Sequence, residues 1–208
     1  MANRLSEYAN DVRIVPTAVD IEHYLPKSKP LNGNNFVVGW IGTWGNLKYL
    51  DMIEEALGYF LKQKKDAELL IISDRSPRLS KVNTSQVRYI PWSVQNEVKN
   101  IQEMNVGLMP LSDDEWTRGK CSLKMLQYMA CGVPVIVSPV GMNKDVLSID
   151  EVGLPAATKT EWFDALKFYY SEREDARRLG KNGRAVVEKY YSRQVISKKL
   201  ASIFRELI

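Results

Sequence analysis

The stretch Arg118-Gly-Lys-Cys-Ser-Leu-Lys-Met-Leu-Gln-Tyr-Met-Ala-Cys-Gly-Val-Pro-Val-Ile-Val-Ser-Pro-Val-Gly141 decides the fold. It reads as a loop, a short helix, a glycine stop, and a strand over Pro134-Val-Ile-Val-Ser138. On the helix, Leu123, Leu126 and Ala130 recur at three- and four-residue spacing and form an apolar stripe. Lys120, Lys124 and Gln127 recur at the same intervals on another face. Gly132 stands where a helix end takes a left-handed residue, and Pro134 blocks continuation.

Two lysines in and just before a first helical turn are electrostatically out of place. A helix N-terminus carries about half a positive charge, so each cation there costs about 0.3–1 kcal/mol. The free N–H groups of the same turn make an anion site. A bound phosphate gives both lysines a reason to be there; the alternative is a solvated surface pair.

Working outward, the alternation of strand and helix continues in both directions. Phe36-Val-Val-Gly-Trp-Ile-Gly42 is an unbroken apolar run of the kind that parallel strands covered on both faces show. A helix is expected from about Leu47 to Lys62, with Leu50, Ile53, Leu57 and Leu61 on one face. Strands follow at Ala67–Ser73, Val87–Ile90 and Asn105–Pro110, with a helix from about Ser93 to Met104 between the last two. Asp113-Asp-Glu-Trp116 reads as an acidic loop. Beyond the central stretch come a short helix at Met142–Leu147, an edge strand at Gly153–Pro155, and helices carrying Trp162, Leu166 and Tyr169, then Glu174–Tyr190, then Ser192 to the end. Such alternation implies a parallel sheet of about six strands with right-handed crossovers. Ligands of such sheets bind beyond the carboxyl ends of the strands.

Residues 1–35 read as a lead-in, with a short strand at Val12-Arg-Ile-Val-Pro16 and a linker ending in Asn32-Gly-Asn-Asn35. The domain proper is expected over residues 36–190, with a C-terminal helix over 191–208. A chain of 208 residues with 26% charged and 45% hydrophobic residues is an ordinary globular α/β domain. A net charge of +4, from 29 basic and 25 acidic residues, is too mild to argue for nucleic acid. No run approaches the ~18 apolar residues of a membrane span, and Met1-Ala-Asn-Arg is not followed by a signal-peptide core. Cys121 and Cys131 suit neither a disulfide framework nor a zinc site, and both are expected reduced in a cytoplasmic protein. His23 has no partner histidine, so neither a metal centre nor a histidine-based triad is expected.

With these residues in place the chain resembles the C-terminal domain of a GT-B glycosyltransferase, similar to the large retaining family four, the glycosyl transferases group 1. Val15-Pro-Thr-Ala-Val-Asp20 resembles the hinge that joins the two GT-B domains. Val38-Gly-Trp-Ile-Gly42 resembles the first strand of the nucleotide-sugar domain. Val106-Gly-Leu-Met-Pro110, Lys120 and Lys124-Met-Leu-Gln-Tyr-Met-Ala-Cys-Gly-Val-Pro-Val135 resemble the family signature, and Gly183-Arg184 with Tyr190-Tyr-Ser192 its last helices.

The resemblance implies one half of a GT-B fold: a Rossmann-like parallel sheet with helices on both faces and extra C-terminal helices. It implies transfer of a sugar, with retention, from a UDP- or GDP-linked donor to an acceptor hydroxyl. No cofactor and no metal is implied. It places Lys120 and Lys124 on the diphosphate, the backbone from Gly119 through Lys120, Cys121, Ser122 and Leu123 around phosphate or sugar oxygens, and Gln127 on the ribose. Gly42 allows close approach of a ligand, and Thr43 and Lys48 fall near the family's arginine and lysine. Asp74, Arg75 and Trp92 follow the second and third strands, where nucleoside would lie. Trp116 is open between the donor-sugar pocket and a surface loop.

The departures lie in the pair of glutamates seven residues apart that the family commonly carries. Gly119 and Gln127 stand at those positions, and Gln127 accepts a hydrogen bond without charge assistance. The acceptor domain is expected outside this chain, in cis or in trans, leaving the chain inactive alone and any peripheral membrane contact to that domain. The resemblance also implies glycan synthesis of the bacterial polysaccharide or cell-envelope type. Two alternatives stand beside this reading: a degenerate module that binds nucleotide or protein without turnover, and a receiver-like signalling domain. The missing acidic cluster after the first strand and the extra C-terminal helices argue against the second.

Overall fold

A run of apolar residues too short for a helix and flanked by turn residues has one way to bury every side chain, which is a central strand. In the computed structural model, which describes residues 7–9, 11–27 and 35–206, β1 (Phe36–Ile41) is buried along its whole length. It pairs in parallel with β2 (Ala67–Ser73), from Phe36 opposite Ala67 to Ile41 opposite Ile72. With β3 (Val87–Pro91), β4 (Val106–Met109), β5 (Val135–Val137) and β6 (Gly153–Pro155) they form one six-stranded parallel sheet in the order β3-β2-β1-β4-β5-β6.

The two-residue period of a strand sends alternate side chains to opposite faces. Phe36, Val38, Trp40, Leu69, Ile71, Leu108 and Ile136 enter one core, packed against Leu50, Leu57, Trp162, Leu166 and Tyr169. Val37, Ile41, Leu70, Ile72, Met109, Val135 and Val137 enter the other, packed against Ile101, Met125, Leu126, Tyr128 and Val187. Helices cover both faces, as expected. They are α1 (Lys48–Asp51), α2 (Glu54–Gln63), α3 (Glu97–Ile101), α4 (Glu115–Arg118), α5 (Leu123–Ala130), α6 (Met142–Leu147), α7 (Lys159–Ser171), α8 (Arg173–Val186) and α9 (Arg193–Arg205).

Several expectations need correction. The helix expected from Leu47 to Lys62 is two helices, α1 and α2, broken at Ile53, whose φ and ψ are −113° and 1°. Leu50, Ile53, Leu57 and Leu61 are all buried across the break, so the apolar period alone does not reveal it. The helix expected over Ser93–Met104 shrinks to α3. Asp113–Trp116 is no loop throughout: Asp114 and Thr117 form a capping box and start α4, the Asp114 side chain accepting from Thr117 N at 2.8 Å. Val12–Pro16 is not a strand, having no pairing partner in the sheet; the one β-bridge of the described lead-in joins Val19 to Ser192. Of the expected lead-in and C-terminal helix, residues 1–6, 10, 28–34 and 207–208 lie outside the described residues.

The lead-in is bound to the domain. Val19 is 2% exposed, and its N–H donates to Tyr191 O at 2.8 Å. Arg184 donates to the carbonyls of Tyr24 (2.6 Å), Ala130 (2.8 Å) and Ile21 (3.0 Å), clamping residues 21–24 to the end of α5. Gly132 takes φ +70° just beyond α5, the left-handed residue that the sequence requires there.

Candidate functional site

The strand order reverses between β1 and β4, and open α/β sheets bind ligands in the crevice at that switch point. Here β1 and β4 pair only at Val38–Val106 and Gly39–Gly107. Beyond this the strands part, and the Tyr128 hydroxyl stands between them, accepting from Ile41 N at 2.9 Å and donating to Leu108 O at 3.4 Å. Tyr128 is fully buried, and burial pushes its phenol pKa up. The side chain that keeps the strands apart therefore comes from α5, the helix of the signature stretch.

Above this fork lies a cleft of about 610 Å³. Gly42, Thr43, Asp74, Trp92, Gly119, Lys120, Cys121, Ser122, Leu123, Lys124 and Gln127 all line it, brought together from the loops after β1, β2, β3 and β4 and from α5. Lys48 stands outside this lining, on α1 with its Nζ 5.3 Å from the Tyr49 ring centroid. Four further lining residues matter for the site: Asn46, Glu97, Met109 and Trp116.

The floor is the N-terminus of α5. Ser122, just before it, is the one non-glycine residue with positive φ among those described, at φ 52° and ψ 25°. Its hydroxyl donates to Asn143 Oδ1 at 2.6 Å, and Asn143 Nδ2 donates to Ser138 O at 3.0 Å, so a fully buried asparagine on α6 holds the strained turn. With the Ser122 hydroxyl engaged elsewhere, α5 has no side-chain cap. Among the described residues the N–H groups of Leu123, Lys124 and Met125 have no protein acceptor, leaving the open anion cradle of an uncapped helix.

Both lysines flank this cradle. Lys120 Nζ donates to Asn46 Oδ1 at 3.1 Å and lies 4.2 Å from the Tyr49 ring centroid. Lys124 Nζ lies 5.6 Å from the Trp40 ring centroid, and among the described residues it has no carboxylate partner. Burial first, then the charge of Lys120, push the Lys124 pKa down to about 8. A Cβ at Gly42 would lie 2.5 Å from the buried Trp40 ring and 2.9 Å from Lys124 Cε, so a side chain here must displace the tryptophan and crowd the lysine. The loop after β1 is fixed by Asp74, whose Oδ1 accepts from Trp44 N at 2.6 Å, and by Asn46 Nδ2 donating to Thr43 Oγ1 at 2.9 Å.

The far wall is a hydrogen-bonded group of four side chains. Gln127 Nε2 donates to Tyr24 Oη at 2.6 Å and to Glu97 Oε1 at 2.7 Å. Tyr24 Oη donates to the same Glu97 oxygen, and Trp92 Nε1 donates to Glu97 Oε2 at 2.5 Å. Sequence reasoning passes over Tyr24 and Glu97. A tyrosine in a lead-in and a glutamate on an amphipathic helix carry no local signal of a site. Glu97 is nevertheless 8% exposed. Of the two cysteines, Cys121 is exposed at the cleft and Cys131 is buried, its thiol pKa pushed up to about 12 by burial.

A model of the family described as "Glycosyl transferases group 1" matches residues 35–172. No curated protein matches the chain. Among solved structures, sucrose-phosphate synthase (tll1590) from Thermosynechococcus elongatus superposes with a TM-score of 0.73 at 21% identity, over 99% of this chain and 55% of its own. A point mutant of S. aureus TarM in complex with Fondaparinux, alpha-GlcNAc-glycerol and UDP gives 0.74 at 14%, over 98% of this chain and 42% of its own. Anabaena Alr3699/HepE in complex with UDP and glucose gives 0.73 at 12%, over 93% and 56%. The chain therefore spans about half the length of these structures, and at such identities the likeness is one of fold.

Proposed function

This chain belongs to the glycosyl transferases group 1 family, and from that premise we propose that its cleft is the donor site of a sugar transferase. It carries one half of the GT-B fold. The observation that carries the proposal is the uncapped N-terminus of α5 at the switch-point crevice, flanked by two lysines without a carboxylate partner among the described residues. The diphosphate of a UDP- or GDP-linked sugar lies over the N–H groups of Leu123, Lys124 and Met125, between Lys120 and Lys124. The ribose lies against Gln127, and the base reaches toward Trp92. Thr43 and Asn46 line the sugar end, with the backbone of Gly119.

The chemistry that this arrangement serves is departure of a nucleoside diphosphate. The anomeric carbon–oxygen bond to the β-phosphate breaks, and the acceptor hydroxyl oxygen, its proton passing to the departing phosphate oxygen, takes its place with retention of configuration. Negative charge grows on the leaving diphosphate, where prearranged amides and ammonium groups stabilise it without needing to reorganise. No resident cofactor and a cytoplasmic location belong to the proposal. So does an acceptor-binding domain supplied in cis or in trans, without which this chain binds donor and transfers little.

Calorimetric titration with UDP, GDP, ADP and their common sugars tests it. One base is expected to bind, and Lys124→Ala and Gln127→Ala each weaken it. A folded protein that takes up neither UDP nor GDP, nor the sugars linked to them, would refute the donor-site reading. A second reading, binding without turnover, draws on Gly119, which offers the sugar no side chain. It predicts full nucleotide affinity and no transfer even with the acceptor half present.

A further inference from the structure

A glutamine side chain has two faces, and the protein around it decides which one a ligand meets. The amide nitrogen of Gln127 donates to Tyr24 Oη at 2.6 Å and to Glu97 Oε1 at 2.7 Å. Turning the amide over would set its carbonyl oxygen against the Glu97 carboxylate, lone pair to lone pair, and remove one of the donors to that carboxylate. The carboxylate is itself held by Tyr24 and by Trp92 Nε1 at 2.5 Å. It comes from another helix, 30 residues away in sequence, and it is buried. Among the described residues no donor reaches Gln127 Oε1, and the residue lines the cleft. The amide is thus locked with its nitrogen on Tyr24 and Glu97, and its carbonyl oxygen remains as the acceptor this cleft residue offers.

We infer that Glu97 is a positioning residue that sets the site's preference for a ribose diol, by fixing Gln127 with its carbonyl oxygen available to a donor hydroxyl. The inference rests on the donor-site reading above and names what orients its ribose subsite. A neutral glutamine thereby becomes an obligatory acceptor, and the negative charge stands one hydrogen bond behind it. Both lone pairs of the Gln127 carbonyl oxygen are thereby left for the ligand. A vicinal diol that donates twice suits this wall better than a 2′-deoxyribose, which can donate only once.

The test compares ribose and 2′-deoxyribose forms of whichever of UDP and GDP binds the wild-type chain better. Wild type prefers the ribose form. Glu97→Gln, which keeps the shape and offers a competing amide, reduces that preference about tenfold. Tyr24→Phe removes one of the two acceptors and reduces it about threefold. The exchange Glu97→Gln with Gln127→Glu restores it, because the carboxylate then faces the cleft and the new amide donates to it. Thermal unfolding and circular dichroism report whether each variant is folded, and Tyr24→Phe carries the comparison should Glu97→Gln unfold. A preference unchanged in the folded single variants overturns the assignment. So does an equal loss for both sugars, which marks a merely structural role, or an exchange variant that stays at the level of Glu97→Gln. If wild type binds neither UDP nor GDP, the donor-site reading falls and the assignment falls with it. If it binds one of them without preferring ribose, only the assignment falls.

Discussion

Lys124→Met separates stability from binding at the candidate site. In the free protein, burial and the charge of Lys120 bring the Lys124 pKa from 10.5 to about 8. At about 1.4 kcal/mol per pH unit, that gap corresponds to about 3 kcal/mol by which the folded state disfavours the charged lysine. The side chain is only partly buried, so solvent screening reduces the figure to about 1–2 kcal/mol. Methionine fills the same space without charge, and Lys124→Met should raise the melting temperature at pH 7 by about 2–8 °C. The gain depends on pH. Between about 8 and 10.5 the unfolded chain still holds the lysine proton that the folded chain has released, so wild-type stability rises with pH through that window. The advantage of methionine therefore shrinks to about half or less by about pH 9.5. The same variant loses a charge-assisted contact to diphosphate and should bind nucleotide about 10–100-fold more weakly. Scanning fluorimetry at about pH 7 and pH 9.5, with calorimetry at the lower pH, reads all three effects. A melting temperature that falls, or a gain that stays constant across that range, would refute the assignment of an uncompensated, partly buried charge.

Other perturbations probe the supports of the cleft. Gly42→Ala drives a methyl group into Lys124 and Trp40 and should cost about 1–3 kcal/mol in chemical denaturation, together with nucleotide affinity. Tyr128→Phe leaves Ile41 N–H without its acceptor at the strand fork and should cost about 1–3 kcal/mol, seen as a lower urea midpoint at unchanged slope. Iodoacetamide at about pH 8 should label Cys121 and spare Cys131 in the folded protein, and nucleotide should slow the labelling; mass spectrometry of the peptides distinguishes the two sites.

How much of this was legible depends on whether the signal is local. The apolar runs at Phe36–Ile41 and Ala67–Ser73 announce central strands because both faces of each strand are covered. The helix before Gly132 and the cradle at its start could be read from Lys120, Lys124 and the glycine stop. The break at Ile53 could not, because Leu50, Leu57 and Leu61 stay in phase across it. The capping box at Asp114 and Thr117 was readable, but the acidic cluster around it masked the helix start. Tyr24 and Glu97 were out of reach. They meet Gln127 across 103 and 30 residues of sequence, and only the fold, with Arg184 clamping the lead-in, brings them together. The same holds for Lys48, which sits at the right spacing after β1 and stands outside the lining of the cleft.

The central claim is that α5 and its two lysines hold a diphosphate. A crystal structure of the chain soaked with UDP or GDP, whichever binds in calorimetry, tests this most directly. The account predicts phosphate oxygens within about 3 Å of the N–H groups of Leu123–Met125 and of Lys124 Nζ, with a ribose hydroxyl donating to Gln127 Oε1. Nucleotide found elsewhere, such as the basic cavity lined by Lys27, Arg173 and Lys181 at the opposite end of the sheet, with the α5 cradle empty, would contradict it.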